Sequence, residues 1–280
     1  MFLRKIAIAA TALGALLGST GIAAAVPHNW QLGMQAAASP VMADIEDFHR
    51  LLLYVIVAIC IFVAALLIWV MLRYNQRANP TPSKTHHNTL LEVAWTGIPV
   101  IILVMIAIPS FKLLYYEAEI PKPDVTIEAI GKQWFWTYAF PKDGNFQFDS
   151  YMLSDAAAAK AHEPRLLGVD HPIYVPVNKV VEIDTTGADV IHSWALPAFG
   201  VKMDAVPGRI NRTWFKATQI GTFYGECSEL CGPRHDFMPI EVKVVSDAEY
   251  AAWLADTKKN KNVYSPIADN DSDAARFAAR

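Results

Sequence analysis

Two long uncharged apolar runs decide most of what this chain can fold into. Leu51–Leu72 covers 22 residues without a charge and Val93–Phe111 covers 19. About 20 apolar residues in a helix cross the hydrocarbon core of a bilayer, so a membrane hairpin over 51–115 is predicted. Pro99 and Pro109 interrupt the second run. A membrane helix tolerates proline where neighbouring helices satisfy the freed carbonyls, so this span is expected to pack against other protein. The connecting loop, about 73–89, carries Arg73, Arg77 and Lys84 and no acid, whereas Asp44, Glu46 and Asp47 precede the first span. The positive-inside rule then makes the loop cytoplasmic and sends both long ends outward, which in a bacterial inner membrane means the periplasm.

The N-terminus, Met1-Phe-Leu-Arg-Lys5, is basic and leads into an Ala/Leu-rich stretch ending in Ala23-Ala24-Ala25. That order of charge, apolar stretch and small residues predicts a removable secretory signal over 1–25, followed by an outer segment over 26–50. Cys60 falls inside the first apolar run and is expected to be a buried small hydrophobe.

Beyond Tyr116 the pattern becomes short β-type runs separated by turn residues. Asp124–Ile130, Lys179–Thr185, Arg212–Ala217 and Met238–Val245 alternate apolar and polar residues, as half-buried strands do. Several such strands with Gly/Pro-rich connections predict an all-β sandwich or barrel over 116–260. Ser154–Gly168 reads as a surface excursion and 261–280 as a disordered tail. Residues 116–260 carry 20 acidic and 14 basic residues, a balance of −6. An acidic outer domain favours a basic partner. With a whole-chain charge of only −3, no nucleic-acid partner is expected.

The chemistry concentrates in Cys227-Ser-Glu-Leu-Cys231-Gly-Pro-Arg-His235-Asp-Phe-Met238. Two thiols, an imidazole and a thioether in so short a segment suit a soft metal, and imidazole suits copper. A mononuclear blue-copper site needs two His, one Cys and a weak Met. With His192 added from an upstream loop, this chain has one Cys more than that. Two bridging thiolates with one His per metal is a natural inventory for two coppers. Three other readings stay open on these residues alone. A Cys227–Cys231 disulfide would suit an oxidising compartment but leaves His235 and Met238 without a role. A zinc site could use two Cys and two His, but not Met. A copper-delivery module could use the same donors but has no need of a membrane hairpin.

The segment Cys-Ser-Glu-x-Cys-Gly-x-x-His-x-x-Met resembles the signature of the CuA centre of the cytochrome c oxidase subunit II family. The likeness extends to Gln31-Leu-Gly33, Ser39-Pro40, Gly131-Lys-Gln-Trp134-Phe-Trp136, Phe148-Asp-Ser-Tyr-Met152, Asp189-Val-Ile-His192-Ser-Trp194 and Lys202-Met-Asp204-Ala-Val-Pro-Gly208-Arg209. It implies a cupredoxin-like, Greek-key periplasmic domain behind the hairpin. It also implies that Cys227 and Cys231 bridge two copper ions, that His192 and His235 bind one each, and that Met238 and the carbonyl of Glu229 are axial ligands. The Glu229 carboxylate resembles a ligand of a magnesium or manganese ion shared with subunit I.

By the same resemblance, Trp134 is where electrons from cytochrome c arrive, and Trp136 is read as packing. Asp149, Asp170 and Asp189 match acids that attract cytochrome c, although the turn Pro141–Asn145 has a lysine and fewer acids than is common there. Glu92, just before the second span, resembles the acid at the cytoplasmic mouth of a proton pathway. Expected partners are subunit I with its haem, subunit III and membrane lipid. The chain contains no Cys-x-x-Cys-His haem-attachment motif. A quinol oxidase subunit would be expected to have lost the copper ligands, and a nitrous oxide reductase would need a further large domain.

Overall fold

The computed structural model describes residues 23–257, 259, 260, 263, 265 and 266. The signal expected over 1–25 lies outside these residues apart from the backbone of Ala23–Ala25, and most of the tail expected over 261–280 lies outside them too.

Helix α1 runs Pro40–Arg73 and α2 runs Thr89–Ala118, with Pro99 and Pro109 inside α2. Both are long and apolar enough to span a bilayer. Ser39 caps α1 by accepting a hydrogen bond from the Met42 amide at 3.0 Å, and Pro40 occupies the first turn, where its missing N–H costs nothing. Asn88 caps α2 in the same way, accepting from Leu91 N at 3.1 Å. Most apolar side chains of both spans face outward, toward lipid or another protein. Cys60 is exposed on this surface, not buried within the chain as expected, because a two-helix hairpin has no interior at that depth. Helix α1 also starts 11 residues before the apolar run. That polar extension carries an ion pair between Arg50 and Asp47 at 3.0 Å.

The rest of the chain is a sandwich of two mixed six-stranded sheets. In chain order the strands are β1 (Ala23–Ala25), β2 (Val125–Lys132), β3 (Phe135–Phe140), β4 (Phe146–Ser150), β5 (Ile173–Pro176), β6 (Val180–Gly187), β7 (His192–Leu196), β8 (Val201–Ala205), β9 (Asn211–Lys216), β10 (Gly221–Cys227), β11 (Pro239–Val245) and β12 (Ser265–Pro266). One sheet has the order β12-β4-β3-β2-β6-β9. The other has β5-β11-β10-β7-β8, with β1 alongside β10. Thus two residues of the segment expected to be disordered, Ser265–Pro266, pair antiparallel with Phe146–Gln147. Trp136, Trp194, Phe140, Phe199, Phe215 and Phe223 fill the space between the sheets, and burying rings of this size supplies much of the driving force for folding.

Two short helices were not expected. Helix α3 (Asp155–Ala161) lies within the surface excursion. Helix α4 (Asp247–Thr257) closes the open end of the core by placing Trp253 against Phe140, Phe146 and Tyr174 at ring-centroid distances of 5.3, 5.7 and 5.2 Å.

Hairpin and sandwich are joined at defined points. Ala38 N donates to Ala198 O at 2.8 Å, and Thr218 N donates to Ala38 O at 2.9 Å. The Ser39 hydroxyl donates to Phe199 O at 2.7 Å. Gly200 turns there at φ +73°, and a Cβ on it would stand 2.7 Å from Ile45 Cδ1 and 3.2 Å from Met42 N. At the end of α2 the Trp214 indole donates to Glu117 O at 3.2 Å.

Candidate metal centre

Strand register brings the sulfur and imidazole donors to one end of the second sheet. His192 is the first residue of β7 and Cys227 the last of β10; these strands pair antiparallel, with Cys227 opposite Trp194. Their close approach depends on Gly225, since a Cβ there would lie 1.9 Å from the carbonyl oxygen of Ala195. After Cys227 the chain loops through Glu229, Cys231 and His235 before Met238 leads into β11, and Ser228 N holds the loop by donating to Ser193 O at 3.0 Å.

The donors converge. Cys227 Sγ lies 4.0 Å from Cys231 Sγ, 3.9 Å from His192 Nδ1 and 3.4 Å from Glu229 O. Cys231 Sγ lies 3.6 Å from His235 Nδ1 and 3.6 Å from Met238 Sδ. His192, Cys227 and Cys231 are all buried, and both cysteines are free thiols. The geometry therefore does not take the disulfide form. Each sulfur has one imidazole nitrogen on its own side and a second, weaker donor, either a carbonyl or a thioether. That division matches a pair of soft metal ions better than a single ion, and the thiolate, thioether and imidazole set suits copper.

Surrounding groups fix these donors. Asp189 Oδ1 accepts from His192 Nε2 at 2.8 Å, which leaves Nδ1 to face Cys227. Asp189 also accepts from the amides of Gln133 and Val190, both at 2.7 Å. Burial would raise the Asp189 pKa, but the bond to His192 and the two amides hold it below the usual carboxylate range. For the Cys227 thiol too, burial alone would push the pKa up; the bond to His192, with backbone contacts from Glu229 and Ser193, outweighs burial and lowers it. Burial and the neighbouring Cys227 charge push the Cys231 thiol up. One thiolate thus forms readily in the metal-free site and the other resists.

Trp136 is fully buried, as the packing reading expected. It also touches the site: its ring packs edge-on to His192 with centroids 6.0 Å apart, and its indole N–H donates to Met238 O at 3.2 Å. Trp134 is half-buried beside Gly232, where a Cβ would stand 3.0 Å from the indole Cζ2. Trp134 lines a surface hollow with Phe135, Tyr151, Arg234 and Phe237. Arg234 brings a positive charge to this hollow that the sequence reading had not placed there.

The three acids expected to attract a partner all make local bonds. Asp149 accepts from the Thr137 hydroxyl at 2.6 Å, and Asp170 accepts from Tyr151 N at 2.8 Å. Asp189 is bound to His192 as described. Asp149 and Asp170 flank the hollow through Tyr151, which stacks on Phe135 at 4.4 Å. Glu229 is exposed, and only its carbonyl oxygen lies against Cys227 Sγ, at 3.4 Å. Glu92 lies far along the chain in the first turn of α2, where Oε1 accepts from Asn88 N at 3.2 Å and lies 3.8 Å from His87 Nδ1. Sequence reasoning missed Gln133, whose neighbours come from segments 56 and 98 residues away; no local pattern signals that.

Fold and site together define a class: a membrane-anchored, cupredoxin-like β domain with a buried cluster of soft donors suited to copper. The family model for the cytochrome c oxidase subunit II periplasmic domain matches residues 125–245, and that for its transmembrane domain matches 27–113. A probable cytochrome c oxidase subunit 2 of Rickettsia bellii is 47% identical over 251 residues, covering 90% of this chain and 92% of its own. The subunit 2 of Cereibacter sphaeroides is 43% identical, covering 88% of this chain and 89% of its own. Among solved structures, the periplasmic domain of subunit II of cytochrome oxidase of Bradyrhizobium japonicum is 58% identical over 51% of this chain and 99% of its own, with a TM-score of 0.48. The chain belongs to the cytochrome c oxidase subunit II family. It is accordingly a membrane protein and a subunit of an oxidoreductase complex.

Proposed function

We propose that this chain takes electrons from cytochrome c at a dinuclear copper centre and passes them to the haem of subunit I, where oxygen is reduced to water and protons are pumped. The observation that carries the reading is the arrangement of donors: two free thiols 4.0 Å apart, each with its own imidazole within 3.9 Å. Cys227, Cys231, His192, His235 and Met238, with the Glu229 carbonyl, would hold the ions. Copper held there would accept and release one electron with no bond made or broken in the protein. The chain's own contribution is rigidity. Ligands held at the ends of β7 and β10 and by the short loop that leads into β11 shift little when the charge changes, and a preorganised site costs little reorganisation.

Trp134, beside the ligand loop and open to the surface hollow, is the residue through which electrons would arrive. Asp149 and Asp170 flank that hollow, and with Asp189 they would draw the basic face of cytochrome c. The exposed Glu229 carboxylate would supply one hard oxygen to a magnesium or manganese ion completed by subunit I. Glu92 would serve at the cytoplasmic mouth of a proton pathway. The domain limits proposed are a signal over 1–25, an outer segment over 26–50, the hairpin over 51–115, the periplasmic domain over 116–260 and a tail over 261–280. Both ends would lie in the periplasm of a bacterial inner membrane, with subunit III and lipid as further neighbours.

Metal analysis and electron paramagnetic resonance of the intact oxidase test the reading. Two coppers per chain in this subunit, sharing one unpaired electron in a seven-line hyperfine pattern that Cys227→Ser abolishes, is the expected result. A single-copper spectrum, or a Cys227–Cys231 disulfide in the active complex, would overturn it.

A further inference from the structure

Gln133 is exposed on the turn between β2 and β3, yet it holds both halves of the metal centre. Its backbone amide donates to Asp189 Oδ2 at 2.7 Å, and Asp189 in turn orients His192. Its side-chain amide donates to Cys231 O at 2.9 Å, in the loop that carries the second sulfur, His235 and Met238. It also precedes Trp134, and a Cβ on Gly232 would meet both the Trp134 ring at 3.0 Å and Gln133 Nε2 at 3.2 Å. The parallel pairing of β2 and β6, with Gly131 opposite Gly187, delivers this turn to the spot. Gly131 itself has no room for a side chain, since a Cβ would stand 2.7 Å from the His192 ring.

We infer that Gln133 is a positioning residue for the metal centre: it ties the Asp189–His192 segment to the Cys231–Met238 loop and seats Trp134 against that loop. Without the Nε2 bond, nothing else among the described residues donates a hydrogen bond to the Cys231 carbonyl. The loop would then move relative to His192, and the spacing between the two metal positions with it. This rests on the copper reading above. A surface residue beside Trp134 could instead act only by touching cytochrome c, and the two roles separate cleanly. Positioning changes the centre's own spectrum, whereas contact changes only the encounter.

The test uses the intact oxidase carrying Gln133→Ala and Gln133→Met; the second keeps length and loses the donor. Copper hyperfine coupling, the reduction potential of the centre, and the rate of copper loss to a chelator are read beside the KM for cytochrome c. Both variants should alter the coupling and potential and lose copper about five-fold faster, the factor that one net hydrogen bond represents. Gln133→Glu keeps the shape but presents an acceptor to the Cys231 carbonyl, so it should match the other two. A raised KM with unchanged coupling, potential and copper retention would overturn the inference. Absence of the dinuclear signal in the unmutated oxidase would instead overturn the copper reading itself.

Discussion

Asp189 binds the far nitrogen of His192, Oδ1 to Nε2 at 2.8 Å, so a surface carboxylate sets the direction of a buried imidazole. Groups that orient a metal-binding histidine typically contribute about 10- to 100-fold in metal affinity or activity. Asp189→Leu is therefore expected to weaken copper retention by about that range and to alter the hyperfine pattern. Asp149→Asn, whose carboxylate accepts from Thr137 and not from His192, should raise only the KM for cytochrome c. Copper analysis beside steady-state kinetics checks both. An Asp189 variant with a normal centre and only a raised KM would confine this residue to docking.

Copper uptake by the metal-free chain should weaken as pH falls. Burial would lower the His192 pKa, but bonds to Cys227 and Asp189 outweigh it and raise it, while the Cys227 thiol is lowered. The empty site therefore favours an imidazolium beside a thiolate, and the ring proton must leave before Nδ1 and its neighbours can bind metal. The raised histidine supports the folded apo state below its ordinary value of 6.5 and loses that contribution as pH rises through its folded pKa. Affinity should thus change by about tenfold per pH unit for each proton displaced. Competition titrations against a chelator between about pH 6 and 8 measure the slope; a flat response would contradict this proton count.

A buried charge network on the second sheet makes stability depend on pH in a different way. Glu241 is 1% exposed; it accepts from Val169 N at 2.9 Å and lies 3.2 Å from Lys243 Nζ. Lys243 also pairs with Glu163 at 3.3 Å, and Glu163 accepts from the Tyr224 hydroxyl at 2.5 Å. Burial raises the Glu241 pKa above 4.5, against the opposing pull of the Val169 amide and Lys243. A raised carboxyl supports folding below its ordinary value and loses that contribution as pH rises through the folded one. Lys243→Met should cost about 2–3 kcal/mol near neutrality by leaving buried carboxylates unpaired. That cost should shrink as pH falls and Glu241 takes up a proton. Urea unfolding at two pH values checks it, and a larger penalty at the lower pH would reverse the assignment.

Gly225→Ala should disable the site without touching a ligand. Its Cβ would collide with the Ala195 carbonyl at 1.9 Å, forcing apart the strands that carry His192 and Cys227. A loss of about 3 kcal/mol or more is expected from overpacking at a backbone contact. Copper content should fall with it, and thermal unfolding together with metal analysis provides the check.

Glu92 closes the cap of α2 through Asn88 N at 3.2 Å, a structural task that Gln can also perform. Glu92→Gln should therefore leave assembly intact while slowing proton-coupled turnover severalfold. Asn88→Ala should cost about 1 kcal/mol of helix stability with little effect on turnover. Oxygen consumption and subunit content distinguish the two, and unchanged turnover in Glu92→Gln would leave this acid with capping alone.

The hairpin was legible because a bilayer demands long uncharged runs, and the donor strip was legible because Cys227 to Met238 lies in one short segment. Strands such as Phe135–Phe140 and His192–Leu196 escaped notice because nearly every residue in them is buried, so no alternation marks them. Helix α4 was missed although it carries a local sign: Ser246 and Glu249 form reciprocal bonds, Ser246 N to Glu249 Oε2 at 2.9 Å and Glu249 N to Ser246 Oγ at 3.3 Å, the capping-box spacing. The role of Gln133 had no such local sign: it arises only when β2 and β6 lie side by side, and sequence spacing cannot supply that. Asp189 does stand three residues before His192, but that spacing alone does not separate an orienting acid from a docking one.

The polar start of α1 also has a mechanical meaning. Its 11 residues before the apolar run rise roughly 16 Å, and the β domain grips their base through Ser39 and Gly200. The helix is therefore a strut welded to the domain, not a hawser on which it swings. A strut gripped at its base sets how far the β domain stands from the apolar spans, and with it the distance of the hollow beside Trp134 from them.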